Sequence, residues 1–258
     1  MEKIKSHLNY TILFIFLGLF VFFLMQICYA QTNPEPRAMT PEPSSLALIS
    51  TGIAGWLIRF ARKRFNEFKR FFDTAVAATG LVIASPVIGA TAILIKIVSP
   101  GPVFFKQERM GCRGKVFDIY KMRTMKIDAE KETGAIWAQE NDPRLIKFGK
   151  IIRKAHIDEI PQLFNVLKGE MSIVGPRPER PVFVKGLAEE IRDYRKRLKV
   201  KPGITGLAQV WHKYDETMQD VKKKIKYDLL YIKRMCLMTD IRILLRTILV
   251  VALGRGAR

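Results

Sequence analysis

The chain has 258 residues, with 44 Lys and Arg against 24 Asp and Glu for a formal charge of +20, yet 48% of it is apolar. Disorder over most of this length is excluded, because it needs low hydrophobicity alongside the charge, and a soluble basic nucleic-acid binder has no use for long aliphatic runs. Charge and apolarity together fit a protein held at an anionic membrane surface.

The first apolar run, Tyr10 to Ile27, follows Lys3 and Lys5. Residues 1–30 therefore read either as a signal sequence with a cleavage site at Cys28-Tyr29-Ala30 or as a retained N-terminal anchor, with the basic end inside in both cases. Residues 31–45 form a Pro-rich polar linker unable to build a core. Leu46 to Ile58 is apolar, contains Gly52 and Gly55, and ends in the basic run Arg59 to Arg64. Its 13 residues reach only about 20 Å as a helix, short for a ~30 Å hydrocarbon layer. The order Pro-Glu-Pro, short apolar helix, basic cluster over residues 41–64 resembles the PEP-CTERM sorting signal recognised by exosortases, which implies an exosortase as partner. In that family the signal ends the protein, whereas this chain continues to Arg258. An ordinary helix with a basic stop is the alternative.

Phe71 to Val98 is the third apolar stretch, interrupted at Ser85-Pro86 and flanked on both sides by basic clusters, Arg62 to Arg70 and Lys106 to Arg123. A spanning helix would leave one cluster outside, against the positive-inside tendency. Proline removes a backbone donor and crowds the preceding turn, and Ser85 is placed to bond the carbonyl so freed. The expectation is a re-entrant membrane helix over 71–98 that breaks at Ser85 and Pro86; a kinked spanning helix is the alternative. Beyond Pro102 the pattern turns globular. Val103 to Phe105 and Lys115 to Tyr120 read as a hairpin around Gly111 to Gly114, and helices are expected over 144–156, 161–169, 182–199 and 216–234. Leu237 to Leu253 reads as an amphipathic helix lying on a membrane, with an ordinary buried helix as the alternative. The fold class expected is α+β, mostly helical: a small cytoplasmic core with a short hairpin, surrounded by membrane-associated helices.

Chemistry concentrates at Asp158 and Glu159, adjacent acids in a basic stretch just before Ile160-Pro161. Proline favours the first helical position, which would put the pair at the positive end of a helix dipole. Two carboxylates there can serve as nucleophile and base or hold a divalent cation, although most such pairs are ordinary helix-start acids. Around them lie Arg153, Arg109, Lys121 and Arg123, the Gly175-Pro176-Arg177-Pro178 turn, and the Pro202 to Gly206 turn with its amides and a hydroxyl. Guanidinium forks suit phosphate oxygens; singly, each basic residue is equally at home in water or against lipid headgroups. Cys28, Cys112 and Cys236 are too dispersed for a disulfide framework or zinc site, and the three histidines show no metal-ligand spacing.

The succession FKRFFD from Phe68, Ser85-Pro86, GPVFFKQERMG, FDIYKMRTM, NDPRLIKFGKIIRK, IDEIPQLFNVLKGEMSIVGPRPE and KPGITGLAQV resembles the bacterial sugar transferases, the monotopic phosphoglycosyl transferases, over residues 68–258. That resemblance implies an inner-membrane enzyme with its catalytic domain on the cytoplasmic face. It would move a sugar 1-phosphate from a nucleotide diphosphate sugar, a UDP-sugar, to polyprenol phosphate (undecaprenyl phosphate), initiating exopolysaccharide or another glycan. By position, Asp158 resembles the nucleophile and Glu159 the base; Arg153 and Arg177 match phosphate-binding arginines; Mg2+ is expected at Asp158; and Ser85 and Pro86 match the family's helix break. Ala208 stands where many relatives have Trp, and His156 where a small hydroxyl residue is common. Two further classes are a non-catalytic membrane protein or exosortase substrate with a degenerate transferase domain, and a nucleic-acid binder, for which no recognised motif is present.

Overall fold

The computed structural model describes residues 45–131, 134, 142–212 and 217–253, with the side chains of 45–63 and 252 excepted. The signal or anchor segment 1–30 and the start of the linker and of the PEP-CTERM-like segment lie outside the described residues. Contacts divide the chain into Met1–Arg59 and Phe60–Arg258; the second unit carries the site.

Helix α1 (Ser45–Val98) is assigned without interruption through Pro86, so the expected break is not visible as a loss of helical assignment. The chemistry expected of the pair is present. Pro86 cannot donate to the carbonyl four residues back, and the Ser85 hydroxyl donates to that carbonyl, Val82 O, at 2.8 Å. From Arg64 to Val98 the helix is long and apolar enough to cross a membrane. Phe71, Val82, Ile83 and Ile97 are each more than 70% exposed, a lipid-like surface rather than a core. Arg123 closes the end of α1, donating to Ser99 O and Pro100 O. Gly101 follows at φ +110, where a Cβ would lie 2.6 Å from the Ile127 side chain.

The hairpin is present and longer than expected: β1 (Phe104–Met110) pairs antiparallel with β2 (Val116–Met122), from Phe104↔Met122 to Met110↔Val116. Its turn is a 3-10 segment, Cys112–Gly114, with Arg113 at φ 58. Residues of like parity share a face, which puts Phe105, Gln107, Arg109, Phe117, Ile119 and Lys121 on one side. After it come α2 (Gly149–Lys154), a 3-10 turn at Ile157–Glu159, and α3 (Gln162–Lys168), which ends on Gly169 at φ 86. The last carbonyls of α3, Val166 and Leu167, accept hydrogen bonds from Arg70 of α1. Cations suit helix C-termini because the free carbonyls there are partly negative.

A second sheet was not anticipated. β3 (Ser172–Val174) and β4 (Gly203–Thr205) pair in parallel. A Cβ on Gly175 would meet Lys201 O at 2.6 Å, so the two glycine turns of the sequence pack backbone against backbone. The helix expected over 182–199 is split into α4 (Pro181–Glu190) and a 3-10 segment, Tyr194–Lys199. Asp193 at φ 71 reverses the chain between them, and Tyr194 and Arg197 turn inward. α5 (Leu207–Trp211), α6 (Met218–Lys233) and α7 (Leu237–Ala252) complete the described elements. α6 starts on a capping box in which Thr217 and Asp220 bond each other's amides. On α7, Ile241, Leu245, Ile248 and Leu249 are exposed at helical spacing while Asp240 and Ile243 are buried.

The main core joins Ala77 of α1, Ile119 of β2, Val166 of α3, Ile173 of β3, Tyr231 of α6 and Ile243 of α7. A polar network runs through it. Asp73 accepts from Ser172 Oγ at 2.7 Å and from the Ile173 amide; Lys69 pairs with Asp240 at 2.6 Å; the Tyr231 hydroxyl lies between Asp240 Oδ1 at 2.9 Å and Val174 O at 3.0 Å, with one proton to share between them. The FKRFFD motif is thereby explained as a docking device. Its Lys69, Arg70 and Asp73 fasten the apolar helix to the globular part of the chain, where unpaired they would each be costly to bury.

Candidate active site

Asp158 and Glu159 sit in the 3-10 turn between α2 and α3, held by His156 at φ 55 on one side and Pro161 on the other. A left-handed non-glycine residue at this point is uncommon and concentrates at functional turns. The turn faces the side of the hairpin that carries Lys121, whose Nζ donates to Glu159 Oε1 at 2.7 Å. From the opposite direction Arg177 forks onto the same carboxylate, Nη2 to Oε1 at 2.6 Å and Nη1 to Oε2 at 3.2 Å. Glu159 thus takes its hydrogen bonds from side chains. The first amides of α3, Leu163 and Phe164, bond Ile160 O and Pro161 O rather than the acid pair.

The two acids are treated very differently. Glu159 is partly buried, which opposes its charge, but Arg177 and Lys121 more than offset that and hold its carboxyl well below the usual carboxylate range. Asp158 is 7% exposed and carries no hydrogen bond or ion pair among the described residues. Burial pushes its carboxyl up, with Lys121 and Arg153 pulling the other way. Adjacent groups with opposed shifts are the usual arrangement for separate acid–base and nucleophilic roles.

The cations form a shell around this pair. Arg153 donates through Nε to Thr124 Oγ1 at 2.9 Å and acts on Asp158 electrostatically. Arg109 bonds Gln107 Oε1 and Pro178 O, and burial lowers its guanidinium to about 10. Glu179 is likewise opposed by burial, yet Lys224, Arg197 and Arg109 together hold it at about 2. Burial depresses Lys121 despite Glu159 beside it. A partly buried cluster with this many guanidinium and ammonium groups is suited to a dense anion such as a diphosphate.

Of the residues singled out in the sequence, the fold therefore brings Asp158, Glu159, Arg153 and Arg177 together. Ser85 bonds within α1, outside this cluster. Arg123, read with Arg109 and Lys121 as a phosphate candidate, instead caps α1. The Pro202 to Gly206 turn does not present a free cradle: Gly203 N bonds Pro176 O, Thr205 O accepts from Gly175 N, and the Thr205 hydroxyl pairs with Thr247 at 2.7 Å. Lys121 and Arg109 are candidates in the sequence together with Arg123, without anything to separate the three, and Arg197 and Asp228 are not singled out. Lys121 and Arg109 share a hairpin face, a parity that a correct register would have revealed. Arg197 and Asp228, deep behind the turn, left no local signal.

Among the described residues no three His, Cys, Asp or Glu side chains converge as a metal cage. Within this cluster, Asp158 is the carboxylate that makes no hydrogen bond or ion pair among the described residues. That donor set fits Mg2+, which commonly takes one or two carboxylates and fills its shell with water and substrate phosphates.

The model of the bacterial sugar transferase family matches residues 64–254, and that of the PEP-CTERM protein-sorting motif matches residues 40–63. The chain is 47% identical over 190 residues to a UDP-N-acetylgalactosamine-undecaprenyl-phosphate N-acetylgalactosaminephosphotransferase of Aeromonas hydrophila, covering 74% of this chain and 45% of that one. It is 41% identical over 182 residues to a UDP-glucose:undecaprenyl-phosphate glucose-1-phosphate transferase of Escherichia coli, covering 70% of this chain and 39% of the other. A transferase of the same description from Caulobacter vibrioides is 40% identical over 182 residues, 70% of this chain and 68% of that one. The chain thus spans less than half the length of the first two relatives.

Proposed function

The chain belongs to the bacterial sugar transferase family, and from that membership we propose that it transfers a sugar 1-phosphate from a nucleotide diphosphate sugar to polyprenol phosphate. The names of its relatives favour a UDP-sugar donor and undecaprenyl phosphate as acceptor. The observation that carries the reading is the unequal acid pair: Asp158 uncommitted and pushed up by burial, Glu159 ionised between Lys121 and Arg177. A degenerate, non-catalytic domain would have no reason to keep that arrangement intact.

In the proposed route an Asp158 oxygen attacks the phosphorus that bears the sugar. The bond from that phosphorus to the bridging oxygen breaks, its electron pair leaves with the nucleoside monophosphate, and the phosphosugar remains on Asp158 as an acyl phosphate, a mixed anhydride. An oxygen of polyprenol phosphate then attacks the same phosphorus and returns Asp158 as carboxylate. Arg177, Lys121 and Arg153 offset the charge of the phosphates arriving beside an acid. Mg2+, when held by Asp158, supplies further charge neutralisation at the diphosphate. The test is a panel of UDP-sugars with undecaprenyl phosphate, with and without Mg2+, following release of nucleoside monophosphate. Release beyond one equivalent per protein that requires both acceptor and metal is expected with one or two donors, and no release from any donor would remove the reading.

The apolar surfaces of α1 and α7 support a place at the bacterial inner membrane, with the catalytic fold on the cytoplasmic face. α1 re-enters on the side it came from, bending at Ser85 and Pro86, and the exposed face of α7 lies in the interface. Single cysteines introduced at Glu67 and Pro102, in a background without Cys28, Cys112 and Cys236, are expected to label from the cytoplasm alone. Labelling of one from each side would mean a spanning helix. The PEP-CTERM segment makes an exosortase the proposed partner of residues 40–63; an intact mass for protein isolated from exosortase-containing cells would exclude cleavage there.

A further inference from the structure

We infer that Arg197 and Asp228 are positioning residues for the proposed transfer, holding the turn that carries Arg177 so that its guanidinium stays on Glu159. The inference rests on the reaction proposed above. Arg197 and Asp228 are each 2% exposed, and they form an ion pair with Nη2 at 2.7 Å and Nε at 3.0 Å from Asp228 Oδ2. Nη1 of Arg197 donates to Tyr194 Oη at 3.1 Å, and Nη2 also donates to the backbone carbonyl of Arg177 at 2.7 Å. One buried guanidinium therefore ties helix α6 to the peptide unit from which the site arginine projects.

A second tether acts on the same turn. Lys224 of α6, one helical turn before Asp228, pairs with Glu179 at 2.6 Å, and Glu179 O accepts from the Met110 amide at 2.8 Å. Residues 177 and 179 are thus fixed from behind by α6, while Pro176 and Pro178 restrict φ on either side of Arg177. With the turn immobilised, the position of the Arg177 fork on Glu159 depends on the Arg177 side chain alone. A buried ion pair is a poor device for stability, since apolar replacements of similar volume often do as well. This pair has a use in geometry, because misplacing a catalytic group by about 1 Å can cost about a hundredfold in rate.

The experiment is a double-mutant cycle in the full chain, measuring kcat and KM for donor and acceptor together with thermal unfolding. Arg197→Lys keeps a charge against Asp228 but cannot also reach the Arg177 carbonyl. It is expected to lower kcat about tenfold, with KM changed by no more than about threefold. In an Arg177→Lys background the same substitution should add less than about twofold, because residues acting through one another are non-additive. Losses that multiply, or a kcat unchanged by Arg197→Lys, would overturn the positioning role. Should Arg197→Lys fail to fold, Arg197→Met with Asp228→Leu removes both charges together and enters the same cycle. Absence of transfer by the unsubstituted chain would reject the reaction itself; transfer by that chain with multiplying losses would reject only the positioning role.

Discussion

Asp158→Asn is expected to reduce turnover by at least about 10⁴-fold, since removal of a covalent nucleophile can cost about 10⁶-fold, without weakening the fold. Asparagine keeps the volume and one carbonyl oxygen but is not a nucleophile towards phosphorus. Stability should hold or rise slightly. Asp158 makes no hydrogen bond or ion pair among the described residues, so no partner is stranded, and the charge removed is one that burial disfavours. The measurements are steady-state release of nucleoside monophosphate, thermal unfolding, and capture of label on the protein from a donor labelled in the phosphate next to the sugar. Unsubstituted protein should retain label when acceptor is withheld; Asp158→Asn should retain none. Turnover close to that of the unsubstituted chain would show that some other group, or the acceptor itself, attacks the donor directly.

How much of this was open to reading in the sequence depended on the range of the signal. The hairpin, α3 and α6 were legible because their causes are local: glycines at the turn, Pro161 before a short amphipathic run, a Thr217 and Asp220 capping box. The acid pair was legible because both members are adjacent in the chain. What escaped was set by distant partners. Nothing near Arg197 indicates that Asp228, 31 positions on, draws it inside and breaks the helix expected over 182–199. The parallel pairing of β3 with β4 joins two glycine turns that each looked self-sufficient. The FKRFFD motif was recognisable as a motif, but its work was not, since Lys69 and Asp73 find their partners on β3 and α7. Arg123 and Lys121 show the same limit at two-residue spacing: one caps α1 and the other reaches Glu159.

Glu159→Gln tests which of two duties the clamped carboxylate performs, and the expected result is a trapped intermediate. Held well below the ordinary carboxylate range by Arg177 and Lys121, Glu159 is a weak base in the arrangement seen. The acceptor asks little of it, because a phosphate monoester loses its second proton near pH 6 and arrives largely ionised. Incoming phosphates also compete for the same two cations, and each bond they take from Glu159 makes it more basic. Glutamine keeps the shape but neither takes a proton nor pairs with the guanidinium fork. In the proposed route the first half-reaction needs no base, with Asp158 attacking as carboxylate, and is expected to fall by no more than about tenfold. The second, which uses Glu159 on the acceptor, should fall by about 10²-fold, within the usual range for general-base removal. Label from the donor should then accumulate on Asp158 in the presence of acceptor, where the unsubstituted chain would discharge it. Equal slowing of both half-reactions, with no accumulation, would mean that Glu159 serves only to hold Arg177 and Lys121 in place. In that case Glu159→Asp, whose shorter arm cannot meet both cations, should be as impaired as the glutamine variant.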